Sequence, residues 1–138
     1  MKQIEAIAQN IGMSYTYGTY REIDYELDRM KTFPAVAELL PLGGSFELKF
    51  ESVKDSQEIT LLFLDIDGKT VDSVKTREIV ERMKTKALEF IKSLNESGEF
   101  ETIDGITLQY HTVVKPNAKC VSGIEITIPM KPNTAVCL

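Results

Sequence analysis

Residues 59–66, ITLLFLDI, carry apolar side chains at both odd and even positions. A strand with one wet face alternates, so a run that is apolar on both faces belongs inside a sheet, covered above and below. Over residues 72–95 the period changes. Val80, Met83, Ala87, Phe90, Ile91 and Leu94 recur at helical spacing and make one apolar stripe. Asp72 or Ser73 is placed to cap this long helix, and Gly98 to end it. Glu78 and Arg82 lie four apart on its outer face, a weakly favourable pair. A doubly covered strand followed by a long one-sided helix requires a sheet with helical cover.

The remaining segments fill in that frame. Ile4, Ile7, Ala8 and Ile11 predict a short helix over 2–11, stopped by Gly12. Tyr15 and Tyr17 alternate in a short strand that ends at Gly18. Residues 19–32 are mixed in charge and read as a loop with one helical turn around Tyr25 to Met30. In FPAVAELLP, 33–41, Pro34 belongs at a strand start or an edge. Gly43-Gly44 reads as a turn, 45–51 as a strand with Phe46, Leu48 and Phe50 on one face, and KDSQ at 54–57 as a second turn. Two strands follow the helix. In 106–114, Ile106, Leu108, Tyr110 and Val114 share one face, and Thr107, Gln109 and His111 the other. In 124–130, Ile124, Ile126, Ile128 and Met130 share a face. KPN at 115–117 connects the two, Pro132 ends the last strand, and 131–138 reads as a loose tail. The expected fold is α+β in one domain over 1–138: a mainly antiparallel sheet, a long helix and a short N-terminal helix on one face, and the other face partly wet.

Composition narrows the function. No apolar stretch is long enough to span a bilayer, and Glu5 and Gln9 interrupt the N-terminal segment, so neither a membrane span nor a secretory signal is expected. The net charge of -5 argues against a general phosphate-binding surface, so no specific nucleic-acid binding is expected. Cys120 and Cys137 with the single His111 are too few for a structural zinc site. Both cysteines read as reduced thiols, Cys120 packed as a small apolar group and Cys137 loose in the tail. His111, with Thr107 and Gln109 beside it, reads as an interface or surface residue. The tyrosines at 15, 17, 20 and 25 stand among Glu22, Asp24, Glu26 and Asp28, which suits a protein interface better than base stacking.

LLFLDIDGKT at 61–70 resembles the phosphotransferase loop of the haloacid dehalogenase superfamily. That resemblance implies Asp65 as nucleophile, Asp67 as general acid/base, and Mg2+ held partly by the same carboxylates. The chain departs from the pattern. Lys69 stands where the family has Thr, sixty-four residues precede Asp65, and only one long helix and two strands are expected after it. The plain alternative is an Asp-Gly turn from a buried strand into a helix cap.

A second resemblance covers residues 2–130. The order of an N-terminal helix, a variable segment and a strand opening Phe33-Pro34-Ala35-Val36-Ala37, then strands 45–51 and 59–66, is similar to the tail-terminator (minor tail, head–tail joining) proteins of long-tailed phages. So are Asp72-Ser73 leading a long helix and the closing strands 106–114 and 124–130. The mixed-charge segment 19–32 and the tail KPNTAVCL depart from that pattern. The resemblance implies a virion structural protein, made in the host cytoplasm, without catalytic residue, cofactor or metal. It would form a homo-oligomeric ring, typically a hexamer, meeting tail-tube and head-connector proteins. The alternatives are a monomeric or dimeric α+β adaptor module and the Mg2+-dependent phosphatase that Asp65 and Asp67 imply.

Overall fold

The computed structural model describes residues 2–68, 73–115 and 120–138. In chain order the elements are α1 (Lys2–Asn10), β1 (Ser14–Gly18), α2 (Tyr20–Arg29), β2 (Ala35–Leu39), β3 (Gly43–Lys49), β4 (Ser52–Ile66), α3 (Ser73–Ser97), β5 (Tyr110–Lys115), β6 (Val121–Met130) and β7 (Val136–Cys137). The fold is α+β: among the described residues, three helices accompany a seven-stranded, mainly antiparallel sheet. No helix among them is long and apolar enough to cross a membrane.

The sheet is built on β4. Its order is β1-β2-β4-β6-β5, with β3 and β7 also pairing with β4. Only β1 and β2 run parallel, and α2 connects them. The inner half of β4 is covered on both faces, as its composition requires. Ile59, Leu61 and Phe63 point to one face and join Ile124, Ile126 and Ile128 of β6. There α1 contributes Ile4, Ile7 and Ala8, and α3 contributes Ile79, Val80, Met83, Ala87, Phe90 and Leu94. Leu62 and Leu64 point to the other face and meet Ile23 and Leu27 of α2, with Ala37 and Leu39 of β2. α3 ends at Gly98, whose φ of 72° suits a residue without Cβ. Asp72, the expected cap, lies outside the described residues, as do residues 116 and 117 of the KPN connection.

Several expectations need correction. Within 19–32, Tyr20–Arg29 form a capped helix rather than a loop with one helical turn. Thr19 and Glu22 form a reciprocal capping box, and Ile23 and Leu27, one turn apart, supply the buried stripe among the charges. Helical cover is therefore present on both faces of the sheet, α1 and α3 on one and α2 on the other. Gly43 and Gly44 are not a turn but the first residues of β3, opposite Glu58 and Gln57. KDSQ at 54–57 is not a turn either; it lies inside the fifteen-residue β4, and the reversal is at Phe50-Glu51. The strand expected at 106–114 begins only at Tyr110. Arg82 reaches Asp65, 2.8 Å away, rather than Glu78. Strand β6 does end at Met130, two residues before Pro132, but the segment 131–138 is not loose. Val136 and Cys137 pair with Val53 and Ser52 as β7, and the Asn133 side chain donates to the Gly98 and Phe100 carbonyls at 2.8 and 2.9 Å.

Candidate functional site

Strand β4 outruns the body of the protein. Its last pair with β6 is Gln57 with Met130. Before that point it is held only by β3 and, at Ser52 and Val53, by β7. The result is a projecting arm with two unlike faces. Directly paired residues share a face, so Leu48, Val53 and Val136 lie together, with Phe46 and its partner Asp55 two residues away on the same side. Glu47 opposite Lys54 and Ser45 opposite Ser56 make the reverse face polar. The apolar face is open to solvent: Phe46 is 72% exposed, Leu48 65%, and Phe50 at the tip 94%. Monomeric soluble proteins rarely expose large contiguous apolar patches, so the arm is a candidate interaction surface.

The arm's base depends on close strand approach. A Cβ at Gly44 would lie 2.4 Å from the Ser56 carbonyl oxygen, whereas one at Gly43 meets nothing within 4 Å. Gly44→Ala is expected to open the base of the arm and remove hydrogen-exchange protection from β3, with little change in the core. Gly43→Ala should leave that protection intact. Equal protection in the two variants would contradict the close approach.

A second apolar surface lies at the β5 end of the sheet. Leu88 and Ile91 of α3 face Ile103, Ile106, Leu108 and Tyr110 across a groove of about 390 Å3. Asn95 anchors its far wall: its side chain accepts from the Ile103 N–H at 2.8 Å and donates to the Ile103 carbonyl at 3.2 Å. Leu88 and Ile106 stand open at the rim, 68% and 54% exposed. The common strand face expected for Thr107, Gln109 and His111 is not formed. Thr107 and Gln109 precede β5, and His111 is exposed on it, opposite Glu125.

Asp65 lies in the last pairs of β4, which ends at Ile66, and Asp67 follows directly after it. Asp65 Oδ2 accepts from Arg82 of α3, and its Oδ1 accepts from the Ile66 N–H at 2.7 Å. Asp67 is buried. Its N–H donates to the Cys120 carbonyl at 2.7 Å, and its Oδ2 accepts from Ser122 Oγ at 2.6 Å and from Thr76 Oγ1. These bonds tie the end of β4 to the start of α3 and to β6. Asp67 Oδ1 is buried without a hydrogen bond. Among the described residues, no group of three or more His, Cys, Asp or Glu side chains gathers to hold a metal ion. Lys69 and Thr70 of the loop lie outside the described residues. Cys120 is half-buried, Cys137 is exposed, and neither is in a disulfide.

Two tyrosines hold α2 and β1 to the sheet. Tyr15 donates to Glu38 Oε1 at 2.5 Å, and burial pushes its phenol well above the ordinary range. Tyr20 donates to Glu125, and that bond is the main cause of its phenol being pushed up to about 12. The folded state thus favours neutral Tyr20. Its contribution is complete below the ordinary tyrosine value of about 10 and fades as pH rises from there to about 12. A phenolate absorbance titration should show a late-ionising fraction that Tyr20→Phe reduces; an unchanged curve would contradict the Tyr20–Glu125 bond.

The alternation of Phe46, Leu48 and Phe50 was visible in the sequence, but the partners that turn it into an arm were not. The groove gave no local signal, because its walls come from residues 88–91 and 103–110 on separate segments. No protein-family model and no curated protein matches the chain.

Proposed function

We propose that this protein is a structural assembly component of a phage virion, a ring-forming tail terminator or head–tail joining protein that acts without catalysis. The observation that carries the reading is the projecting arm, with Phe46, Leu48 and Phe50 exposed on a hairpin stiffened by β7. Such a surface becomes favourable when a neighbouring subunit covers it. The order of elements and the Phe33–Ala37 run that opens into β2 support the same assignment. The carboxylates of Asp65 and Asp67 act as structural ties, to Arg82 in one case and to Ser122 and Thr76 in the other. The net charge of -5 suits a ring whose channel passes DNA without retaining it. Tail-tube and head-connector proteins are the partners this role requires.

Light scattering over a concentration series tests the proposal, with negative-stain imaging of the largest species. The expected species is a hexameric ring of about 93 kDa, six times the 15.5 kDa chain. A chain that stays at 15.5 kDa throughout would reject ring formation and favour an adaptor module. Mg2+-dependent phosphatase activity that disappears in Asp65→Asn would reject the non-catalytic role.

A further inference from the structure

We infer that the arm of one copy seats in the α3 groove of the next, so that copies join head to tail. The inference rests on the ring reading above and names the two surfaces that build it. The arm does not reach the groove of its own chain. The groove floor includes Ile126, which pairs with Leu61 of β4, and the arm ends nine residues further along β4, at Ser52. At about 3.3 Å per residue the tip stands roughly 30 Å away along the strand. It is held there by β3 on one edge and β7 on the other. The aromatic tip therefore meets such a groove only on another molecule.

Area and chemistry agree with this occupant. Phe46 and Phe50 each have roughly 150–250 Å2 to bury. With Leu48 and Val136 beside them, the arm supplies a large part of the roughly 800 Å2 per partner that a stable interface needs. The groove presents aliphatic walls from Leu88, Ile91, Ile103, Ile106 and Leu108, with Tyr110 at one end. Aromatic anchors in an apolar pocket are the usual centre of a tight interface. Arm and groove are different patches, so the contact is heterologous, and a single contact leaves the groove of one copy and the arm of the other unused. Repetition of such a contact builds a ring when the rotation closes. A two-fold dimer joined arm to arm would leave both grooves empty.

The test uses two variants of the whole chain, one with Phe46→Asp and Phe50→Asp, the other with Leu88→Asp and Ile106→Asp. All four positions are at least half exposed, so the core is untouched, and circular dichroism with a thermal melt checks folding. Should either variant be unfolded, serine at the same positions carries the same test. Each variant alone should associate roughly 30-fold or more weakly than the parent chain, as expected when central anchors are lost. Mixed together they retain one intact arm and one intact groove. They should then form a heterodimer of about 31 kDa, twice the 15.5 kDa chain. A ring that persists unchanged in the arm variant overturns the inference and leaves the ring reading standing. Two variants that are each monomeric and stay monomeric on mixing overturn the pairing of arm with this groove. A parent chain that is monomeric at every concentration overturns both.

Discussion

Gly123→Ala is expected to destabilise the fold by more than about 4 kcal/mol. Gly123 sits on β6 opposite Leu64, inside a ladder of ten consecutive pairs between β4 and β6. A Cβ there would lie 1.7 Å from the Phe63 carbonyl oxygen and 2.8 Å from its carbon. Both atoms are backbone of the neighbouring central strand, so no side-chain rotation relieves the clash. Relief requires β4 and β6 to part. That opens both apolar layers, because Phe63 belongs to the α1–α3 side and its neighbours Leu62 and Leu64 to the α2 side. The cost should exceed about 4 kcal/mol, in the range reserved for gross disruption. In a chain of this size that corresponds to a fall in melting temperature on the order of 10–20 °C, or to loss of soluble protein. A thermal melt decides it, with Gly43→Ala as the control that adds the same methyl in open space. A Gly123→Ala protein melting within about 3 °C of the parent would contradict the close approach of the two strands.

Phe90→Ala should have the next largest effect. Phe90 of α3 and Phe63 of β4 are both fully buried and meet edge to face, with centroids 5.7 Å apart and an interplanar angle of 74°. They join the long helix to the central strand. Truncation removes a large buried apolar side chain and leaves a cavity, costing about 3–5 kcal/mol. A double-mutant cycle with Phe63→Leu and Phe90→Leu should return a coupling of about 0.5–1.5 kcal/mol for the ring pair. Chemical denaturation gives both numbers. Zero coupling would mean that the rings act as independent fillers. The contrast with the arm is useful. Phe90→Ala lowers the stability of the single chain, whereas Phe46→Asp with Phe50→Asp should lower association and leave each chain folded. Substituting phenylalanine thus has opposite consequences according to whether its own chain covers it.

Much of the fold was legible because burial imprints a local period. The stripe from Val80 to Leu94 marked α3, the two-faced apolar run marked the inner half of β4, and alternation from Ile124 to Met130 marked β6. In each case the side chains face a core wide enough to impose its pattern on several successive turns or pleats. Helix α2 escaped because only Ile23 and Leu27 are buried among ten residues. Its Thr19…Glu22 capping box was the signal that could have revealed it. The outer half of β4 escaped because its residues pair through the backbone without being buried. Lys54, Asp55, Ser56 and Gln57 have the composition of a turn, and β3 alongside, with β6 reaching Gln57, makes them a strand. Asp65 and Asp67 were placed correctly, at the end of β4 and directly after it, but their partners, Arg82, Thr76 and Ser122, come from α3 and β6 and could not be assigned from spacing.

Which segments bury apolar surface, and with what period, can be read along the chain, since that depends on neighbouring residues. The α+β class, the long helix and the central strand follow from that pattern. Which strands adjoin, where β4 leaves the shelter of β6, and the return of the C-terminal segment as β7 to stiffen the arm are set in three dimensions. Those outcomes depend on backbone hydrogen bonds, which every residue can accept and every residue except proline can donate, and which leave little trace in side-chain identity. For the same reason the arm and the groove, the two surfaces on which the proposed assembly rests, emerge only when distant segments are brought side by side.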